Sequence, residues 1–365
     1  MPSLYILYNY VGCHILSAVD LRVGVVGFGW IARLHAAAWV RLGVPLHVYA
    51  EPAEHAAAAV AEFGAVAHPT LADLLAAVDV VDVCTPTDTH APVAVAAARA
   101  GRHVICEKPI ASTLAEAAEV ADACARAGVS LHVGQVVRYF PPYAAAHRVV
   151  AAGELGEPAV LRFRRASGLP ARPWLRDEVR SGGVIADLMI HDLDQARWFA
   201  GEVVRVYARA ARPVGATRTQ AYAILTHAGG AISHVSASWA LDSGFETSFE
   251  IAGTRGLVDH DSDATKPLRA DRPGLLAGPG GLPPVLGDDP FTLELGEFLT
   301  AIRGGPPARV SAADAAAALA ITVAAIESAD TGRAVTPSPV PAAFHPFTPI
   351  TATATATAVV RGSWE

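Results

Sequence analysis

From Asp20 onward, short apolar runs alternate with longer stretches in which apolar residues return every three or four positions. LRVGVVG (21–27) is an apolar run closed by glycine, which predicts a buried strand, and WIARLHAAAWVRLG predicts a helix ending at Gly43. LHVYAE reads as a second strand. An alanine-rich helix follows from Pro52, then a short strand near Val66 and a helix from Thr70. VDVVDVC (78–84), RHVICEK and VSLHVGQ predict further buried strands. Between them lie a helix over THAPVAVAAARAG and one running from the capping box Thr113-x-x-Glu116 to Gly128. Strands and helices alternating at this spacing predict an α/β unit over 21–138, with a doubly wound parallel sheet.

The rhythm changes after Arg138. PPYAAAHRVVAAGEL predicts a helix, PAVLRFRRA a strand, and VIADLMIHDLDQARWFAG a further helix. EVVRVYARA, QAYAILTH, AISHVSASWAL, FETSFEIAG and GLVDH alternate at period two between glycine-rich turns, the pattern of an antiparallel sheet. Helices from about Phe291 and from Ser311 complete an α+β domain over 139–335. Residues 261–289 are rich in Gly, Pro and Asp and predict a long loop. Residues 1–20 read as an extension, and 336–365, with TATATATA, as a low-complexity tail.

Composition narrows the class. At 365 residues, 52% hydrophobic and 17% charged, the chain suits a soluble protein of two domains. A net charge of −7 and the lack of any basic run argue against nucleic acid as a partner. The N-terminal LYILYNYVGCHILSAV has no positive n-region or twin arginine, and Asn9, Gly12 and His14 interrupt it. It therefore predicts neither a signal peptide nor a membrane span. The four cysteines (Cys13, Cys84, Cys106, Cys124) lack metal-ligand spacing, and three sit in apolar settings, so a reduced, cytoplasmic protein is expected.

Three places carry candidate chemistry. GFGWIA (27–32) matches G-x-G-x-x-A at a strand-to-helix junction, so Gly27, Phe28, Gly29, Trp30 and Ile31 form a candidate dinucleotide loop. The helix start there offers unpaired N–H groups to phosphates. Glu51 lies 22 positions past Gly29 at the end of the next strand, placed for ribose hydroxyls. A carboxylate repels a 2′-phosphate, which favours NAD over NADP. The plainer reading makes Glu51 a solvated helix start.

The second place is CEKPIA (106–111). Of 28 basic side chains only Lys108 and Lys266 are lysine, and Lys108 stands between Glu107 and Pro109 at the C-terminal edge of a parallel strand. Lysine is a compact point donor whose proton affinity burial can lower, whereas arginine stays charged. A site that polarises one oxygen has reason to keep lysine; a surface ion pair is the rival. The third place is SGGVIADLMIHDLDQARWF, in which Asp187, His191 and Asp194 at i, i+4 and i+7 share one face of a regular helix. A histidine beside carboxylates suits general acid–base work. A metal site or a structural His–Asp pair are rivals, but no further His/Cys pair at ligand spacing supports a metal.

Together these segments resemble the Gfo/Idh/MocA family, the glucose–fructose oxidoreductase and inositol dehydrogenase group. CTPTDTHAPVAVAAARAGRHVICEKPIA (84–111) resembles its most recognisable segment, and SGGVIADLMIHDLD its GG(G)xxxDxxxHxxD helix. The resemblance, over 21–335, implies a Rossmann domain followed by an α+β domain whose open, mainly antiparallel sheet forms a dimer or tetramer interface. It implies hydride transfer between a nicotinamide cofactor and a sugar, inositol or related polyol. Lys108 would hydrogen-bond the reacting hydroxyl, His191 would be the base, and Asp187 would orient substrate or histidine. Thr85, Pro86, Thr87, His90, Glu107 and Gln135 would line the cofactor, with Arg138 and Asp194 near substrate. No metal is implied. Met189 stands where many relatives have glycine, which implies a narrower site. A glycosidase that uses NAD transiently, or a non-catalytic sugar- or dinucleotide-binding regulator, are the alternatives.

Overall fold

A computed structural model describes residues 21–211, 217, 219–242, 244–263 and 289–344. The expected N-terminal extension, most of the Gly/Pro-rich loop and the TATATATA tail lie outside the described residues.

Valine-rich runs with every position buried can only be interior strands, and β1 (Val23–Val26) and β4 (Val80–Val83) are of this kind. With β2 (Leu46–Tyr49), β3 (Val66–Ala67), β5 (His103–Cys106) and β6 (Leu131–Val133) they form a six-stranded parallel sheet in the order β3-β2-β1-β4-β5-β6. Helices α1 (Trp30–Arg41), α2 (Ala53–Phe63), α3 (Leu71–Ala77), α4 (His90–Arg99) and α5 (Leu114–Ala127) make the crossovers. Their ends follow local chemistry. The Thr70 hydroxyl caps α3, the Thr113–Glu116 box caps α5, and Gly128 ends α5 in the left-handed region that favours glycine.

A short 3₁₀ turn (Val136–Tyr139) leads from the parallel sheet into α6 (Pro141–Ala151). The second sheet has the order β12-β11-β7-β10-β9-β8, formed by β7 (Pro158–Gly168), β8 (Val203–Ala211), β9 (Gln220–His227), β10 (Ile232–Leu241), β11 (Phe245–Gly253) and β12 (Leu257–Asp261). Every pairing is antiparallel except β7 with β10.

Between β7 and β8 the chain forms two one-turn helices, α7 (Pro173–Arg176) and α8 (Glu178–Ser181), then α9 (Ile190–Ala200). The long helix expected over VIADLMIHDLDQARWFAG therefore differs from a regular one: its first part is a π-helical turn, Ile185–Met189, and α9 begins only at Ile190. Gly182, left-handed at the end of α8, makes the approach possible, because a Cβ there would lie 2.4 Å from that of Ala186.

Helices α10 (Pro290–Ile302) and α11 (Ala312–Thr331) complete the fold. By length and composition α11 could cross a membrane, but it is largely buried among β8, α9 and α5. The inner face of the second sheet carries Leu161, Phe163, Ala223, Leu225, Val235 and Phe249. Its outer face is open, with Tyr207, Tyr222 and Ile224 exposed on β8 and β9, and the ion pairs Arg162–Glu250 and Arg164–Glu246 linking β7 to β11.

Candidate active site

Parallel strands bring their C-terminal ends to one edge, the place at which such sheets bind ligands. Here that edge gathers Gly27 after β1, Glu51 after β2, Thr85 after β4, Lys108 after β5 and Gln135 after β6. Gly27 has φ +85°, and a Cβ on it would stand 2.9 Å from the Cys84 carbonyl oxygen. At Gly29 a Cβ would meet nothing within 4 Å, so the backbone there is open to a close-lying ligand. Helix α1 starts at this point with no capping side chain and no acid in its first turn, which leaves its N-terminal N–H groups facing the opening. Ala32, the small third residue of the motif, is fully buried against the sheet.

Of the loop side chains, Trp30 is exposed and Ile31 partly so. Phe28 turns into the core against Phe63, so only its main chain remains at the loop. Glu51 is exposed, and the Tyr49 hydroxyl donates to its Oε1. Pro86 leads into a 3₁₀ turn that begins at Thr87, and Asp88 in that turn is clasped by Arg180 of α8 at 2.7 and 3.2 Å. Thr85 Oγ1 and both amide atoms of Gln135 are buried without a hydrogen-bond partner among the described residues. Buried polar atoms of this kind cost free energy unless something fills the crevice and bonds them. Open glycine, bare helix start, exposed carboxylate and orphaned polar atoms together fit a dinucleotide.

Across the crevice, the Lys108 ammonium donates to the Asp187 main-chain oxygen at 2.6 Å and to Asp187 Oδ1 at 3.2 Å. The Lys108 side chain is 13% exposed. His191 is partly exposed, and neither ring nitrogen has a hydrogen bond among the described residues; Nδ1 is buried. Burial of the ring, then the positive charges of Lys108 and Arg165, hold its proton affinity well below the ordinary histidine range. The imidazole is therefore neutral at pH 7 and able to accept a proton. Lys108, named from one motif, and Asp187 and His191, named from another, come together.

Other expected site residues do not. Arg138 and Asp194, expected near substrate, are 1% and 0% exposed and bond each other at 2.8 and 2.6 Å. The π-helical turn shifts Asp187 out of the regular spacing, while Asp194, in the regular helix α9 with His191, turns inward to Arg138. His90, expected to line the cofactor, is buried, with its ring nitrogens 2.9 Å from the Thr85 carbonyl and 2.8 Å from that of Pro109. It ties two loops of the site together. Glu107, also expected at the cofactor, points inward and accepts the Lys108 N–H at 3.0 Å. Met189 is fully buried in the core, so it does not narrow the crevice.

Arg165 and Asp192 escaped the sequence reading. Their bidentate pair, at 2.7 and 3.0 Å, lies buried beneath His191 and contributes to its lowered proton affinity. The signal was an arginine on the inward phase of β7, at a position the alternation assigns to an apolar side chain.

Residues 21–135 match the oxidoreductase family with an NAD-binding Rossmann fold, and residues 143–259 match the GFO/IDH/MocA C-terminal domain. Inositol 2-dehydrogenase of Rhizobium meliloti (strain 1021) is 30% identical over 337 residues, spanning 85% of this chain and 97% of its own. Among solved structures, GenD2 from gentamicin A biosynthesis in complex with NAD aligns with a TM-score of 0.80 at 29% identity, over 89% of this chain and 98% of its own. Levoglucosan dehydrogenase in complex with NADH and L-sorbose aligns at 0.75 and 26% identity, over 87% and 99%. The expected parallel and open, mainly antiparallel sheets are those observed, and this chain belongs to the GFO/IDH/MocA family of oxidoreductases with an NAD-binding Rossmann domain.

Proposed function

We propose that the protein is an NAD-dependent dehydrogenase that oxidises a secondary hydroxyl of a cyclic polyol or sugar, and reduces the ketone in reverse. The observation that carries this reading is the meeting of Lys108 and a neutral His191 at the edge of the parallel sheet. NAD, held by the Gly27–Gly29 backbone, the α1 N-terminus and Glu51, would supply the hydride acceptor. An ammonium has three protons, and Asp187 takes two, through its carbonyl and its carboxylate. The third remains for the reacting oxygen, where Lys108 stabilises negative charge as it develops. His191 takes the hydroxyl proton. Asp187 holds the ammonium in place and balances its charge. Glu51, steadied by Tyr49, favours the free ribose hydroxyls of NAD over the 2′-phosphate of NADP. The inositol and levoglucosan activities named for similar proteins support a polyol or sugar substrate.

The open face of the second sheet supports a homodimer or homotetramer, since Tyr222 is 61% exposed there beside Ile224 and Tyr207. Three buried free thiols, Cys84, Cys106 and Cys124, support a cytoplasmic setting. The test is nicotinamide absorbance with purified protein, NAD or NADP, and a panel of inositols, aldoses and sugar acids. Reduced NAD should accumulate with at least one of them. Silence across the panel, with NAD binding shown separately by calorimetry, would overturn the dehydrogenase reading.

A further inference from the structure

Beneath the site lies a charged cluster that the proposed chemistry does not use. Asp82 stands in β4, where every residue is buried, and His35 lies on α1 with its ring fully enclosed. The ring bridges two carboxylates. Nδ1 is 3.0 Å from Asp82 Oδ2, and Nε2 is 3.0 Å from Glu107 Oε1. Trp39, one turn along α1, donates its indole N–H to Asp82 at 2.8 Å. Glu107 uses its other oxygen to accept the Lys108 main-chain N–H.

A neutral imidazole has one N–H and can satisfy one carboxylate; satisfying both requires the imidazolium. Burial works against that charge, but the Asp82 carboxylate at Nδ1 favours it, and the ring is held well above the ordinary histidine range. Cys84 is 3.5 Å from Asp82 Oδ1 and stays a thiol, pushed up to about 12 by burial first. From α10, Phe291 packs on the His35 ring at 5.6 Å. Glu294, on the same helix, accepts the Gln135 N–H at 2.8 Å and is held well above the carboxylate range by burial and by Glu107. The groups around the ring are thus the Asp82 and Glu107 carboxylates within hydrogen-bond reach of its two nitrogens, the Glu294 carboxyl that burial keeps protonated, and a thiol, with His35 the buried cation among them.

We propose that His35 is a positioning residue: as an imidazolium it locks Asp82 and Glu107 to α1, so that the helix facing the dinucleotide phosphates also fixes the backbone of Lys108. The inference rests on the role given to Lys108 above. Gly134 keeps the arrangement possible, since a Cβ there would sit 3.0 Å from Glu107 Oε1. Without the cation, Glu107 would face Asp82 unpaired in a dry interior, where burial and a neighbouring carboxylate favour its protonated form. A protonated Glu107 holds the Lys108 N–H less firmly, and the ammonium drifts from the reacting oxygen.

His35→Gln should lower kcat about 10- to 100-fold, the cost of misplacing a catalytic group by about 1 Å. NAD affinity should stay within about threefold, and kcat should gain a limb that rises with pH as Glu107 ionises. The double variant His35→Gln/Asp82→Asn removes one charge of each sign and should flatten that limb while regaining most of the rate. A pH-independent loss that tracks thermal unfolding would mean packing alone, and would overturn the proposal. So would unchanged kcat in His35→Gln.

Nitrogen-15 histidine NMR of the wild-type protein needs no substrate. The signal that disappears in His35→Gln should report both ring nitrogens protonated at pH 7, and a neutral ring at pH 7 overturns the proposal even in an active enzyme. If the wild type reduced no NAD with any substrate, the dehydrogenase reading would fall, and the NMR result would still decide the charge of His35.

Discussion

Asp187 and Asp194 stand seven residues apart in one helical run, and both face a basic side chain. Asp187 meets Lys108 at a crevice, with 27% of its side chain exposed. Asp194 meets Arg138 in the interior, where a planar guanidinium fills both carboxylate oxygens and also reaches Asp314 on α11 at 3.3 Å. The Arg138 guanidinium lies 5.2 Å from the Trp198 ring centroid, and with the residue only 1% exposed it is closed to a ligand. The two pairs divide the work of their residue types. Arginine, with its rigid fork, suits closed pairs that pin the 3₁₀ turn between the sheets to α9 and α11. Lysine keeps one donor uncommitted. Asp192–Arg165 repeats the interior case one residue from His191, so the proposed catalytic residues and the anchoring ones interleave along a single helical run.

Breaking each pair should give opposite signatures. Lys108→Met should reduce turnover about a thousandfold, the scale for losing a group that stabilises an oxyanion. The melting temperature and NAD binding should barely move; retained turnover in steady-state assays would refute the catalytic role. Asp194→Ala should do the reverse. Stranding Arg138 without its main partner should cost about 3 kcal/mol of stability in urea titrations, with the surviving folded fraction still binding NAD. If Asp194→Ala instead changed only the KM for substrate, the anchoring role would be wrong.

The pH dependence sharpens the same contrast. In the proposed reaction the active form of His191 is the neutral one, and its proton affinity lies well below the usual value of about 6.5. The rate should therefore stay level as pH falls through 6.5 and decline only at more acid values. An acid limb centred near 6.5 in kcat/KM would show that burial, Lys108 and Arg165 do not act on the ring as described. The smallest effects belong to the exposed cofactor rim. Glu51→Ala should weaken NAD about tenfold and NADP much less, while Tyr49→Phe, which removes one exposed hydrogen bond, should weaken NAD about twofold. Equal losses for both cofactors in fluorescence titrations would remove Glu51 as the discriminator.

What local pattern can reach was legible before any coordinates. Buried valine runs, helix caps and turn glycines specify elements through interactions a few residues long, so both sheets were readable, and so was the crevice edge carrying Gly27, Glu51 and Lys108. Residue type alone also singled out Lys108, because lysine is so scarce here. Only the tertiary structure separated Asp187 from Asp194, because the π-helical turn and the partner across the gap, not the spacing, decide which carboxylate is exposed. It alone turned Glu107 inward to His35, 72 positions away. The reason is physical. Periodicity says which face of an element is dry, whereas the role of a charged side chain depends on which distant group meets it there and whether that meeting uses up all its hydrogen bonds.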